Sequence, residues 1–303
     1  MTAFRYSLGK IVGICPQCGR RTFKPYVDNA TGAALDAAAC GRCNRQNSCG
    51  YHVAPARYFA LGGRRPAAMP GWTPPPPPRP DFMGLPPLPS PSSLEADNLF
   101  NFLCGRFPRA DVLAAFAAYR VHHSRWNGGA TAFFLIDAEG RCRSAKLMRY
   151  GADGHRLRQG RPAANVNFLH SAMGLKGYRF RSCFFGEHVA AARPDAPICL
   201  VESEKTALVM ACRDPSGRFA YLATGGCSAL NPRNADPDDP YSRFRILRDR
   251  HVILYPDADM IYKWTEAADA LTAVCRTVRA VDIRREPFSL TGSEDIGDYI
   301  LNV

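Results

Sequence analysis

The chain has 303 residues, with 39 Lys and Arg against 27 Asp and Glu, a formal charge of +12 and 46% hydrophobic residues; that balance excludes an acidic, disordered solvating protein. The charge is unevenly spread, since residues 1–194 carry 26 basic and 10 acidic side chains and residues 195–303 carry 13 and 17. A cationic front suited to a polyanion, nucleic acid first, thus precedes a mildly acidic tail. The length allows two or three compact units. No run of about 18 apolar residues is found, and the opening MTAFRYSLGKIVG lacks the apolar stretch of a secretory signal. A cytoplasmic protein with no membrane contact is the expectation.

Residues 1–62 form a cysteine-rich basic unit. Five of the 12 cysteines fall between Cys15 and Cys49, and the others are scattered singly from Cys104 to Cys275. In a reducing compartment clustered cysteines mean metal, and scattered ones are small buried hydrophobes. Cys15-Pro-Gln-Cys18 and Cys40-Gly-Arg-Cys43 are two CxxC pairs separated by 21 residues, a spacing that lets two knuckles converge on one tetrahedral Zn2+. Cys49 offers a fifth thiolate. Residues 15–58 resemble the zinc ribbon found beside primase-like Toprim domains of bacterial mobile elements, whose closing half has the form GRCxRxxxCGYH; here it runs from Gly41 to His52. The resemblance implies Cys15, Cys18, Cys43 and Cys49 as ligands of a closed, structural zinc site, with Cys40 a bystander and His52 packing nearby. Arg20, Arg21, Lys24, Arg42, Arg45 and Arg57 interleave with Phe23, Tyr26, Tyr51 and Tyr58. Cations for phosphates and rings for bases are what single-stranded nucleic acid requires, although Phe23 and Tyr51 are expected in the ribbon's own core.

Residues 63–93 read as a linker. Pro66 to Pro91 is dense in proline, which removes backbone donors and favours an extended, semi-rigid spacer. Helix is expected to resume at Ser92-Ser93-Leu94-Glu95, a capping-box pattern followed by the apolar stripe Leu99, Phe100, Phe102, Leu103. A second helix is expected from about Asp111 to Tyr119. A hairpin follows, with an apolar strand Ala132–Ile136, a turn at Asp137–Gly140 and a strand carrying Arg141, Arg143, Lys146 and Arg149. Arg156, Arg158 and Arg161 continue the basic run. This face is either solvated or in contact with nucleic acid, and residues 94–194 form a basic α+β region.

From residue 195 the texture becomes regular α/β. The apolar runs 198–201, 219–224, 251–255 and 280–283 alternate with helical segments at Glu204–Cys212 and Met260–Val278, which predicts a parallel sheet with crossover helices. Ligands of such sheets sit at the carboxyl ends of the strands. Glu202 ends the first run, Thr224-Gly225-Gly226 the second, and Asp257 and Asp259 follow the third. Carboxylates brought together repel unless a cation lies among them, and their hard oxygens suit Mg2+.

VE-x-EKTA, ATGG and PDxD in this order resemble the Toprim domain shared by bacterial and phage primases, topoisomerases and certain nucleases. Primase-like members also carry DxxDYL, here Asp295-Ile-Gly-Asp298-Tyr299-Ile300. The resemblance covers about residues 196–303 and reaches loosely upstream through Asn165–His170 and Phe185–His188, the latter expected to be a packed turn. It implies a Rossmann-like parallel sheet, Glu202 as metal ligand or general acid/base, and Asp257 and Asp259 as a metal-binding pair. It further implies Asp295 and Asp298 on the cofactor side, with Mg2+ or Mn2+ as the catalytic ion. Lys205 lies beside the acids and could contact phosphate; Lys263 reads equally well as a solvated helix residue. Two departures remove negative charge: Thr206, where replicative primases have a further acid, and Gly297, where DPD is common.

The chain therefore reads as an α/β protein built from an N-terminal four-cysteine zinc ribbon, a Pro-rich linker, a basic α+β middle resembling a primase core and a C-terminal Toprim domain. The expected function is that of a DNA primase-like protein, performing Mg-dependent nucleotidyl transfer on a single-stranded DNA template in mobile-element replication. Its partners would be nucleoside triphosphates and a replicative helicase. The alternatives are a Toprim nuclease and a non-catalytic DNA-binding accessory factor. A topoisomerase is disfavoured by the short chain, and a motor role by the lack of a GxxxxGK[ST] loop.

Overall fold

A computed structural model of the chain describes residues 6–9, 13–29, 31–45, 48–64, 79–158, 165–226, 230–232 and 239–302. It divides into two units, 1–77 and 78–303. Residues 65–78 of the proline-rich linker, and Arg161, lie outside the described residues. No helix among the described residues is long and apolar enough to cross a membrane.

In the first unit β1 (Tyr6–Leu8), β2 (Phe23–Asp28) and β3 (Gly41–Cys43) form an antiparallel sheet in that order, followed by α1 (Pro55–Ala60). Its core is small. Phe23 is fully buried edge-on to Tyr51, with ring centroids 5.9 Å apart, and packs with Cys15 and Cys43. The Tyr51 hydroxyl donates to the Ala39 carbonyl at 2.8 Å. So little apolar surface calls for a crosslink to hold the ribbon.

The second unit is mixed α/β. It opens with α2 (Pro91–Leu94), α3 (Asn98–Cys104) and α4 (Arg109–Ala118). The capping box expected at Ser92 is replaced by two other caps. Pro91 suits a first helical position, which passes the cap to Ser90, whose Oγ accepts the Ser93 N–H; Glu95 ends that helix, and Asp97 caps the next through the Phe100 N–H at 3.0 Å. An antiparallel sheet follows, β4 (Val121–Ser124), β5 (Ala130–Ile136), β6 (Cys142–Met148) and β7 (Val166–Phe168), in sequence order. Then come α5 (Leu169–Ala172) and α6 (Glu187–Ala191).

The parallel sheet contains β8 (Ile198–Val201), β9 (Ala220–Ala223), β10 (His251–Tyr255) and β11 (Thr277–Ala280), in the order β11-β10-β8-β9. α7 (Glu204–Arg213), α8 (Ile261–Leu271) and α9 (Ile296–Asn302) complete the unit. β8 and β9 are buried throughout, as a sheet covered on both faces requires. The last strand lies three residues before the apolar run 280–283, and α8 ends at Leu271 rather than Val278. β11 is an edge strand whose Thr277 and Arg279 are exposed, so its signature is alternation and not an apolar run.

One core joins the two sheets. Phe100, Phe116, Phe133 and Phe185 pack with Val201, Leu208 and Val209, and Phe185 exchanges backbone hydrogen bonds with Ala223 at 3.0 and 3.1 Å. A second core under the opposite face of the parallel sheet gathers Leu200, Leu222, Leu254 and Trp264. The basic strand β6 is neither a solvated nor a nucleic-acid face along most of its length, since six of its seven residues are buried. Arg143 is 2% exposed, its Nε 2.8 Å from Asp137 Oδ2 and its guanidinium over the rings of Phe82 and Tyr241.

Removing one member of a buried ion pair leaves an uncompensated charge, whereas a half-exposed pair is worth little. Asp137→Ala should therefore cost about 3–5 kcal/mol in denaturant unfolding, and Arg141→Ala, which removes the more exposed cation on the same carboxylate, less than about 1 kcal/mol. Equal costs would show that burial of the pair does not set its importance.

Candidate active site and zinc ribbon

In the ribbon, the Sγ atoms of Cys15, Cys18, Cys43 and Cys49 lie within 4.8 Å of one another. Cys15 to Cys49 is 3.7 Å and Cys18 to Cys43 is 3.9 Å, against the roughly 3.8 Å edge of a tetrahedron with Zn–S bonds of about 2.3 Å. The Arg20 backbone N–H brings the Cys18 thiol down to about 6, and the Thr22 hydroxyl lowers Cys43. Cys49 is pushed up to about 12: the Tyr51 N–H favours its thiolate, but burial and the three other sulfurs outweigh that. Four thiolates so placed need a cation, and the donor set fits zinc. Cys40 stands apart, its Sγ facing the Val53 carbonyl at 3.7 Å and its thiol raised to about 11 by burial. His52 also lies outside the quartet. Its Nε2 is 3.0 Å from the Tyr26 hydroxyl, with the two rings stacked.

The second site sits on the rim of the parallel sheet. Val201 is in register with Ala223 on one side and Tyr255 on the other. Three strands therefore finish level, and Glu202, Thr224–Gly226 and Asp257 emerge together. Burial raises Asp257 to about 8, with Glu202, Asp295, Asp259 and Asp298 adding repulsion in that order. Asp259 is exposed in the single helical turn Ala258–Met260. Among the described residues only the cysteines bring three or more ligand atoms within 4.8 Å of one another. The rim acids thus interact without forming a closed cage of ligand atoms.

Asp295 and Asp298 are committed locally. They form a reciprocal cap on α9: Asp295 Oδ1 accepts the N–H groups of Gly297 at 2.7 Å and Asp298 at 3.0 Å, while Asp298 Oδ2 accepts the Asp295 N–H at 3.0 Å. The other oxygen of Asp295 accepts the Thr206 hydroxyl at 2.5 Å. A side chain at position 297 would bring its Cβ within 2.9 Å of Asp295 Oδ1 and 3.3 Å of Thr206 Cγ2. The two departures noted in the sequence, Thr206 and Gly297, are therefore neighbours that fit the same carboxylate.

Above the rim lies a cleft of about 310 Å³. Glu202, Glu204 and Asp257 line it, and Lys146, Lys205, Arg156 and Arg158 face into it. Lys205, at the start of α7, donates from Nζ to the Gly154 carbonyl at 2.8 Å beside the Phe102 ring. Burial lowers its pKa against the pull of Asp298 and Asp295. Lys146 reaches across from β6, its Nζ 2.8 Å from Glu204 Oε2 and 3.1 Å from the Gly225 carbonyl. Sequence reasoning left this pair without a role. Glu204 shares the helical face of Ala207, Leu208 and Ala211, and a carboxylate on an apolar face demands a buried cation.

The remaining candidates lie elsewhere. Lys263 is exposed on α8 and does not line the cleft. His170 stacks on Tyr178 and Phe180 with its Nδ1 2.8 Å from Ser144 Oγ. Glu187 is buried, accepts the N–H groups of Ala138 and Phe184 at 3.2 and 3.1 Å, and is raised to about 8 by that burial. His188 meets the Ala118 carbonyl at 3.0 Å.

A zinc ribbon joined to an α/β unit whose parallel-sheet rim carries carboxylates defines the class of protein. Residues 97–258, more than half of the chain, match the family described as a domain of unknown function, DUF6371, and the chain belongs to it. Residues 4–63 match the zinc beta-ribbon finger family, which together with the cysteine quartet supports a structural zinc. No curated protein matches. Among solved structures the chain is similar to the primase fragment of the bacteriophage T7 primase-helicase protein, at 15% identity over 95% of this chain and 93% of that one, with a TM-score of 0.42. It is also similar to the zinc-binding and RNA polymerase domains of Aquifex aeolicus primase (15% identity, 56% of this chain and 36% of that one, TM-score 0.36). A third is the RNA polymerase domain of Mycobacterium tuberculosis primase (16%, 71% and 66%, TM-score 0.29). At such scores no residue of this chain is equated with one of theirs.

Two measurements check these sites. Elemental analysis should find one zinc per chain, kept in Cys40→Ser and lost in Cys43→Ser; the reverse would exchange the ligand and the bystander. For the rim, Asp257 titrates higher in the folded state than its ordinary 3.8. Its favourable contribution is therefore full below about pH 4 and lost as the pH rises through about 8. In metal-free buffer Asp257→Asn should be more stable than the parent at pH 8 and no more stable at pH 4, by thermal unfolding. A pH-independent difference would mean that the carboxyl carries no such repulsion.

Proposed function

We propose that the chain is a primase-like protein that joins nucleotides on a single-stranded DNA template, with Mg2+ or Mn2+ at a Toprim-type rim and a zinc ribbon that grips the template. The observation that carries this reading is the cleft itself. It brings together Glu202 and Asp257, on level strand ends, with Lys146, Lys205, Arg156 and Arg158. Carboxylates for a cation beside cations for phosphates suit a nucleoside triphosphate.

Glu202 and Asp257, with Asp259 beside them, would hold the ion; burial first and then repulsion lift Asp257, and a divalent cation relieves the repulsion. When bound, the ion supplies charge neutralisation at the attacking 3′ oxygen and the departing pyrophosphate. Lys205 is preoriented by the Gly154 carbonyl, so it can meet a phosphate with little loss of side-chain freedom. Gly225 and Gly226 hold positive φ at the same edge, leaving backbone that phosphate oxygens can approach. In the ribbon, Lys24 and Arg42 lie directly opposite across β2 and β3. Like charges so paired are destabilising unless an anion lies between them, and Tyr26 stacked with His52 next to Arg42 offers flat surface for bases. A helicase partner and a place in mobile-element replication rest on the motif resemblance alone.

A second reading, a DNA-binding accessory factor without catalysis, is favoured by the full engagement of Asp295 and by Thr206 in place of an acid. Incubation with single-stranded template, Mg2+ and labelled ribo- or deoxynucleotides separates the readings. Short products that fall on the order of 100-fold or more in Glu202→Gln and Asp257→Asn support the primase. Template shortening indicates a nuclease, and salt-sensitive binding without chemistry indicates the accessory factor.

A further inference from the structure

Beside the cleft lies a second cavity, of about 200 Å³, that shares Lys146, Glu204 and Gly225 with it. The two differ in character. The cleft is lined mostly by charged side chains, whereas the cavity sets Leu135, Phe168, Cys183 and Ala223 beside the shared Lys146 and Glu204, with Ser182, Thr224 and Arg243 as its further polar members. We infer that this cavity is the nucleobase subsite of the nucleotide whose phosphates the cleft receives, an inference that rests on the function proposed above.

Three observations carry it. A nucleoside triphosphate has a charged end and a flat, largely apolar base with a polar edge, and the two cavities present the matching surfaces in adjacent positions. Small-ligand sites of about 300–1,000 Å³ are mostly apolar with a few placed polar groups, and the cavity is the more apolar of the two. The two meet at Gly225, whose carbonyl accepts Lys146 Nζ at 3.1 Å and where a Cβ would stand 3.2 Å from Glu204 Oε1. The Lys146–Glu204 pair forms the threshold, with Lys146 12% exposed and Glu204 2%.

Phe168 is the stacking surface. Its ring is fixed against Phe180 at 4.9 Å and His170 at 5.7 Å between centroids, so a base meets a rigid aromatic face and little side-chain freedom is lost on binding. Arg243 holds the polar side. Its Nη1 donates to the Thr224 carbonyl at 3.2 Å, and its guanidinium lies over Phe184 at 5.0 Å. A planar guanidinium so anchored suits the acceptor edge of a base.

Equilibrium binding of ATP, GTP and inorganic tripolyphosphate to the full chain in Mg2+ tests the assignment. The parent should bind the nucleotides at least tenfold more tightly than tripolyphosphate. Phe168→Ala should weaken nucleotide binding about tenfold and leave tripolyphosphate binding unchanged, while Phe168→Tyr, which keeps the ring, should retain the preference. Nucleotides and tripolyphosphate bound equally by the parent, or a preference untouched by Phe168→Ala, would overturn the base subsite and leave the phosphate cleft standing. Binding of none of the three would remove the cleft reading, and the subsite with it.

Discussion

The strand register at Val201 is the constraint on which the second unit depends. Because Val201 sits opposite both Ala223 and Tyr255, three parallel strands end at one level and release their polar residues on one edge. A one-residue slip in either pairing would turn alternate side chains to the other face and separate Glu202 from Asp257. The apolar residues that fix this register, among them Leu200, Leu222 and Leu254 in one core and Val201 in the other, are thus the means by which a hydrophobic sheet holds an acidic rim together. Packing sets the position of the charges, and the charges then decide what the rim can hold.

Charge is balanced in two ways in this unit. Some carboxylates are settled by partners within the chain: Asp137 by Arg141 and Arg143, Glu204 by Lys146, and Asp295 by Thr206 and the α9 backbone. Asp257 is not settled in this way, and its raised titration records repulsion from four other acids as well as burial. The same contrast holds in the ribbon, where Tyr26 and His52 pair with each other while four cysteine sulfurs crowd together. The unbalanced places are the ones that call for an ion, and the basic middle region faces one of them across the cleft.

Much of this was legible in the sequence where a local rule decided it. The apolar runs 198–201 and 251–255 coincide with β8, buried at every residue, and with β10, whose less buried face still carries the apolar Ile253 and Tyr255. The edge strand β11 was misplaced because half of it faces solvent. Cysteine spacing gave the cluster but left five candidates; the GRCxRxxxCGYH resemblance favoured Cys43 over Cys40, and in the fold Cys43 joins the quartet while Cys40 faces Val53. The long-range ion pairs were illegible for a different reason. Arg143 looked like any arginine of a basic strand, and nothing local in the sequence indicates that Phe82 and Tyr241 close over it.

Thr206 and Gly297 show what such rules miss at the rim itself. Read as sequence, each is a lost negative charge; in the fold they are one arrangement around Asp295. Two carboxylates about 4 Å apart repel by about 4 kcal/mol at the effective dielectric of a protein surface, whereas a hydroxyl donating to a carboxylate contributes about 1.5–3 kcal/mol. Threonine in place of an acid therefore exchanges a repulsion that only a cation could relieve for a bond that needs none. It ties α7 to the cap of α9, and the absence of a side chain at position 297 makes room for that bond. Asp295 is thereby satisfied within the chain, whereas Asp257 keeps the repulsion of its neighbours. The carboxylates left with that repulsion are on the strand ends that the Val201 register brings level.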